Sequence, residues 1–142
     1  MRKQSFTEQG QSLVEVALII PALLILFMGI AEVGFYLYAQ VQVANAAREG
    51  ARYGSLCKQN DTCATLTTEV ESAVLSEAEL LKMDGTNTSV AVQWSGSVPP
   101  TTSTPITVTV AYTHTSPFIS NFVPMFPTEL PVEHTVVMQF DK

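Results

Sequence analysis

The sequence has 142 residues, 46% of them hydrophobic, and a formal charge of −6, which leaves room for one modest domain beside any membrane segment. The charge is uneven, because from Tyr53 onward three lysines stand against nine acidic residues. A surface this acidic repels a phosphate backbone, so we expect no nucleic-acid partner.

The first predicted element is a membrane-spanning helix. No side chain from Val16 to Ala31 ionises, and Arg2 and Lys3 precede this run. A helix needs roughly 20 apolar residues to cross a bilayer, so we expect a span over about residues 16–37. The flanking cations favour a cytoplasmic N-terminus and an exported C-terminal part. A cleaved secretory signal peptide is the competing interpretation, but this run exceeds the usual apolar length of about 7–15 residues.

The same helix is expected to begin near Ser12, which can cap it together with Glu15. Pro21 lies inside the apolar run, removes one backbone donor and should kink the helix. Tyr36 and Tyr38 are typical of an aromatic belt at the outer interface. If the helix continues from residue 12 to residue 54, it is about 64 Å long at 1.5 Å per residue.

Small residues recur every fourth position in the part beyond the span, at Ala46, Gly50 and Gly54. Such a stripe permits close approach of another helix. The alternative is a generic alanine-rich helix that ends at Gly54, but this leaves Gly50 unexplained, because glycine lowers helix stability.

Two carboxylates accompany the apolar run, Glu15 at its start and Glu32 near its end. Ionisable groups at such depth are expensive and are usually paired or functional. Their separation of 17 residues places them roughly 100° apart around a helix, so they need separate partners. We expect Glu32 to reach headgroups or water at the outer interface, and a carboxylate at Glu15 to be favoured by the helix dipole.

Cys57 and Cys63 are the two cysteines of the chain. In an exported domain a pair this close favours a small disulfide loop between two helices. Two free thiols are the alternative, and a metal site is the least favoured, because no histidine lies near them in sequence.

The remainder predicts a small α+β domain. Apolar residues recur at helical spacing over residues 65–82, with Asp84 and Gly85 as the stop. Residues 89–95, 106–112 and 132–140 alternate with period two and are rich in β-branched side chains. We therefore expect a long transmembrane helix, a second helix and an antiparallel sheet of about three strands.

An unusually apolar connection joins the last two predicted strands. Residues 118–126 include Phe118, Phe122 and Phe126. The segment could fold back over the domain's own core, dip into the membrane surface or contact a partner.

The chain shows no sign of enzymatic chemistry. His114 and His134 lie on different predicted strands, and there is no phosphate-binding glycine loop, nucleophile elbow or metal-ligand motif. His134 falls on the inward face of the last strand and is expected to be a core or edge histidine whose ring nitrogens have hydrogen-bond partners. His114 ends the second strand and needs no special role. We expect neither a cofactor nor a metal site.

Gly10 followed by Glu15 and an apolar helix resembles the processing site of type IV prepilins and pseudopilins. The resemblance implies a leader of residues 1–10 that a prepilin peptidase removes after Gly10, so that Gln11 becomes the new N-terminus. It also implies that the Glu15 carboxylate meets the N-terminal amine of a neighbouring subunit during assembly. Such an ion pair costs less free energy in lipid than a lone carboxylate does.

A closer resemblance, to the TadE family of pseudopilins of the tight-adherence (Flp) pilus system, covers roughly residues 8–54. The matching motifs are residues 15–21 (EVALIIP), 29–34 (GIAEVG) and 44–54 (ANAAREGARYG). Flp-type major pilins usually carry tyrosine after the glutamate, so Val16 favours a pseudopilin over a major pilin.

The TadE resemblance implies a pilin-like fold that comprises a leader (1–10), a long helix (11–54) and an exported α+β domain (55–142). It implies a single-pass inner-membrane protein that can be incorporated into an extracellular pilus. The implied partners are the prepilin peptidase, other pilin or pseudopilin subunits, the inner-membrane pilus assembly machinery and the lipid bilayer. The alternative is an uncleaved single-pass anchor whose exported domain binds a ligand or partner.

Overall fold

The computed structural model describes residues 6–56, 66–78, 81, 83, 86–95, 105–116 and 127–139, and for residues 6–9 and 66 it describes the backbone alone. The elements are α1 (Phe6–Ser55), α2 (Leu66–Glu77), β1 (Thr88–Trp94), β2 (Pro105–Thr115) and β3 (Glu129–Gln139). A long apolar helix, a second helix and a three-stranded antiparallel sheet form an α+β fold, which confirms the predicted class.

The helix α1 runs without interruption for 50 residues and passes through Pro21. It begins at Phe6, so the expectation that Ser12 caps a helix starting near residue 12 is wrong. Once a long helix exists, each residue added to its end gains a hydrogen bond without a new nucleation step. Gly10 and Gln11 therefore lie inside the helix.

The strand β2 is the centre of the sheet, paired antiparallel with β1 on one side and β3 on the other. It buries every second residue from Ile106 to His114, because successive side chains of a strand point to opposite faces. β2 and β3 pair over their full lengths, which extends both beyond their predicted bounds. Pro131 is accommodated within β3 because an edge strand tolerates a missing backbone donor.

The core lies between the inner face of the sheet, α2 and the second half of α1. Val43 and Ala47 of α1, Val70 and Val74 of α2, and Val108 at the centre of β2 are fully buried. α2 ends at Glu77, earlier than the predicted residue 82, and the Leu81 amide donates to the Ala78 carbonyl oxygen (3.0 Å) in a following turn. The first half of α1 contributes nothing to this core.

Candidate functional site

The feature that stands apart from the globular domain is the first part of α1. Every residue from 10 to 27 is exposed, including Leu18, Leu24 and Phe27, which are each more than half exposed. These 18 residues span about 27 Å at 1.5 Å per residue, close to the thickness of a bilayer core. Among the residues that the structure describes, α1 is the one helix long and apolar enough to cross a membrane. Its exposed apolar surface requires lipid or other subunits as its surroundings.

The two carboxylates of α1 lie in different environments. Glu15 is exposed within the apolar run, beyond the reach of the globular domain. Glu32 is 1% exposed and is enclosed by its own chain, so the expectation that it reaches headgroups or water is wrong. The sequence could not show this burial, because it depends on tertiary packing, and α2, β2 and β3 all pack against α1.

The enclosure of Glu32 continues one helical turn later at Tyr36. The Tyr36 ring lies 6.3 Å from the His114 ring at the end of β2, measured between centroids. The Tyr36 hydroxyl donates to the Pro131 carbonyl oxygen (3.5 Å) and accepts a hydrogen bond from Gln40 Nε2 (2.9 Å). These contacts attach the ends of β2 and β3 to α1, and we call the group of Tyr36, Gln40, His114 and Pro131 the junction.

The junction changes where the helix leaves the domain. The sequence predicts a span to about residue 37, but partial burial already begins at Met28 and Gly29 and becomes complete at Glu32. Tyr36 thus packs against the chain's own sheet, whereas Tyr38 remains 40% exposed. From residue 28 onward α1 therefore has one buried face, while Ile30, Val33 and Leu37 remain exposed on the other side of the helix.

His114 is a member of the junction that sequence reasoning missed. It is 9% exposed, contacts both Tyr36 and Tyr112, and its buried Nε2 has no hydrogen-bond partner among the residues that the structure describes. The signal was present in the sequence, because the period-two pattern of β2 continues from Tyr112 to His114. His134 is half-buried on the inner face of β3, opposite Val110.

The apolar connection of residues 118–126 lies outside the described residues, and its three possible locations stay predictions. The residues that flank it belong to the junction end of the sheet, where the Ser116 amide donates to the Thr128 carbonyl oxygen (2.9 Å). Cys57 and Cys63 also lie outside the described residues, so the predicted disulfide stays a prediction.

The small residues of α1 face the domain's own core. Ala46, Gly50 and Gly54 are all buried. A Cβ placed at Gly50 would lie 2.5 Å from Val74 Cγ2, and one at Gly54 would collide with Ile106 Cδ1. The stripe therefore lets α2 and β2 approach the backbone of α1 within one subunit.

The opposite, exposed side of this part of α1 carries charges. The Arg52 guanidinium donates two hydrogen bonds to Glu49, at 2.9 and 2.5 Å. This hydrogen bonding, with the charge of Arg52, lowers the pKa of Glu49, and the carboxylate in turn raises the pKa of Arg52. Arg48 donates to the Asn45 side-chain oxygen (3.2 Å) and, within the described part of the chain, forms no ion pair.

The exposed apolar part of α1 fits a membrane-spanning segment. Within the described ranges, no three histidine, cysteine or acidic side chains come together as a metal site. The family model described as TadE-like protein matches residues 10–52, less than a third of the chain. No curated protein and no solved structure matches the sequence. The matched residues contain the exposed apolar run, Glu15, Glu32 and both helical residues of the junction, Tyr36 and Gln40.

Proposed function

From the premise that residues 10–52 form a TadE-like segment of a membrane protein, we propose that this chain is a minor pilin-like component, or pseudopilin, of a tight-adherence (Flp) pilus or a related secretion assembly. Its role is structural and involves no catalysis. Its proposed partners are a prepilin peptidase, other pilin or pseudopilin subunits and the inner-membrane assembly machinery.

The observation that supports this proposal most is the contrast between Glu15 and Glu32. The chain encloses Glu32 itself, but Glu15 stays exposed on an apolar run that the domain does not cover. A charge at the centre of a membrane helix costs about 2.5–3.5 kcal/mol on insertion scales, and at the start of the apolar run, where Glu15 lies, the cost is smaller but is still reduced by a partner. The described part of the globular domain offers Glu15 no partner, and a positively charged amine on a neighbouring subunit is chemically suitable.

Cleavage after Gly10 would create such an amine at Gln11. Both residues lie in the first turns of α1, where helices fray. Gly10 lowers helix stability by about 1 kcal/mol relative to alanine, which favours local unwinding for a protease. Arg2 and Lys3 favour a cytoplasmic location for this site, so the domain that follows α1 would be exported.

The test of this proposal is co-expression of the full chain with an active prepilin peptidase. We expect a mobility shift equal to loss of the ten-residue leader, and we expect Gly10→Arg to abolish the shift. A wild-type chain that keeps its leader beside a peptidase that processes a control prepilin would contradict the proposal. That result would instead support an uncleaved single-pass anchor whose exported domain binds a ligand or partner.

A further inference from the structure

The central strand β2 runs along the axis of α1, in the opposite direction. A Cβ at Gly54 would collide with Ile106 at the start of β2, and the Tyr36 ring lies 6.3 Å from the His114 ring near its end. The strand from Ile106 to His114 spans about 26 Å at 3.3 Å per residue. The helix from Gly54 back to Tyr36 spans about 27 Å at 1.5 Å per residue. The two lengths agree, so β2 descends along α1 towards the part that crosses the membrane.

The same spacing places the end of the sheet at the level of Glu32. Ser116 lies two residues beyond His114, about 6.6 Å farther along the strand, which equals about four residues of helix. The Ser116 amide donates to the Thr128 carbonyl oxygen (2.9 Å), so β2 and β3 meet at this level. The burial of Glu32, which is 1% exposed, agrees with this placement. We call this end of the sheet the base and define it by Thr115, Ser116, Thr128 and Glu129.

The opposite side of α1 is apolar at the level of the base and above it. Ile30 is 62% exposed, and Leu37 and Val41 are each 58% exposed, whereas the first charged residue on this side is Arg48. A bilayer core takes roughly 20 residues of helix, so a span that begins at Val16 ends near residue 35. A span that ended below the base would leave Leu37 and Val41 in water, which the hydrophobic effect opposes. The boundary of the bilayer core therefore lies at or above the base.

The base has a composition that suits the boundary between lipid and water. Thr115 and Thr128 are exposed and uncharged. Glu129 is the acidic residue of the base, and it pairs with Thr115 near the level of Phe35, where a carboxylate reaches the headgroup layer. The chain leaves the described sheet and returns to it at this level, and residues 117–126 in between contain three phenylalanines and no ionisable side chain. The largest free-energy cost of contact with lipid, an unpaired charge, is therefore absent from this connection.

We propose that the base contacts the bilayer leaflet on the domain's side, so that the domain rests in the headgroup layer beside its own helix. At this level α1 then has lipid on one side and the base on the other. A single helix leaves the tilt of the domain free, and a second contact with the lipid surface restricts it. This inference rests on the membrane-spanning part of the proposed function and does not depend on leader cleavage.

The chain's single tryptophan makes the depth of the base measurable. Trp94 pairs with Ile106 at the opposite end of the sheet, about 33 Å from the base along the strands. The test uses Thr128→Trp in a Trp94→Phe background, as the full-length uncleaved chain in phosphatidylcholine vesicles without any peptidase. Lipids that carry bromine either near the headgroup or near the end of the acyl chain quench tryptophan emission at the corresponding depth. Thr115→Trp in the same background is a second, independent variant on the neighbouring strand.

We expect the Thr128→Trp and Thr115→Trp variants to lose at least about half of their emission to the shallow bromines and much less to the deep ones. Leu24→Trp in the same background lies near the middle of the span and should show the reverse order. The wild-type chain, with Trp94 as its only emitter, is the matched control and should be quenched by neither lipid. Circular dichroism verifies that each variant is folded.

The outcomes separate this inference from the membrane anchor itself. Unquenched emission from Thr128→Trp and Thr115→Trp, beside a quenched Leu24→Trp variant, would overturn the inference and leave the anchor intact. Blue-shifted but unquenched emission from the base would mean that protein covers it, from this chain or another subunit, and would also contradict lipid contact. Absence of quenching in Leu24→Trp would contradict the span and the inference together. Equal quenching of Trp94 and of the Thr128→Trp variant would contradict the upright placement of the sheet.

Discussion

Gly50 and Val74 touch where α2 crosses α1, so closely that a Cβ at position 50 would lie 2.5 Å from Val74 Cγ2. Replacing Gly50 by alanine therefore forces the two helices apart or strains Val74. Overpacking of a core costs typically about 1–3 kcal/mol, and the helix propensity gained from alanine offsets about 1 kcal/mol of this. We expect Gly50→Ala to lower the free energy of unfolding by up to about 2 kcal/mol, measured by thermal or urea denaturation in detergent.

The control for this prediction is Gly34→Ala. Gly34 lies on the same helix, and a Cβ there meets no atom within 4 Å. This variant should be neutral or slightly stabilised, because it gains helix propensity without a clash. Combining Gly50→Ala with Val74→Ala should relieve the clash. If the double variant loses as much unfolding free energy as the two single variants added together, the contact is contradicted.

The different environments of Glu32 and Glu15 predict different consequences for the same substitution. Glu32→Ala removes a fully enclosed side chain and should lower the unfolding free energy by about 1–3 kcal/mol. Glu15→Ala should leave both the unfolding transition and membrane insertion unchanged but reduce incorporation into assembled fibres. Denaturation of both purified variants, beside a fibre-shearing assay in cells, separates the two effects. Equal destabilisation by the two substitutions would contradict the assignment.

The hydrogen bonds of the Tyr36 hydroxyl are expected to stabilise the packing of the sheet against α1. Tyr36→Phe removes the hydroxyl that bonds to the Pro131 carbonyl oxygen and to Gln40. We expect a loss of about 0.5–1 kcal/mol, near the lower end for a hydrogen bond because the contact to Pro131 is long. Hydrogen exchange at the start of β3 should accelerate. Tyr38→Phe changes an exposed ring on another side of α1 and should alter neither quantity.

The Glu49–Arg52 pair predicts a pH dependence. Because the pKa of Glu49 is lowered in the folded chain, its stabilisation is present above the unfolded pKa and is lost as the pH falls through the folded value. Arg52→Gln should raise the pKa of Glu49, which nuclear magnetic resonance titration detects, and should destabilise only slightly, because both side chains are at the surface. Arg48→Gln is the control, and identical Glu49 titrations in the wild-type chain and Arg52→Gln would refute the pairing.

The sequence predicted the elements better than the contacts between them. Periodicity located α2 and all three strands, because side-chain spacing depends mainly on which face is buried. The ends of β2 and β3 were missed, since their extension depends on pairing with each other rather than on local pattern. The start of α1 was missed because helix propagation into residues 6–11 leaves no signal in a polar segment.

The sequence identified the important residues of the site, but it did not show which of them the domain buries and which it leaves exposed. Glu15, Glu32 and Gly50 each attracted attention because a charge in an apolar run and a glycine in a helix both need a physical reason. Which carboxylate the domain encloses, and that Val74 accounts for Gly50, depend on tertiary packing. The junction at Tyr36 depends in the same way on strands that lie far along the chain.

The central claim is that α1 serves first as a lipid anchor and then as an assembly helix whose new N-terminus pairs with Glu15 of a neighbouring subunit. Mass spectrometry of the chain's N-terminus, from cells with an active prepilin peptidase, tests it most directly. The account predicts that the first residue is Gln11 in wild-type protein and Met1 in Gly10→Arg. A wild-type chain that still begins at Met1 in those cells would contradict it.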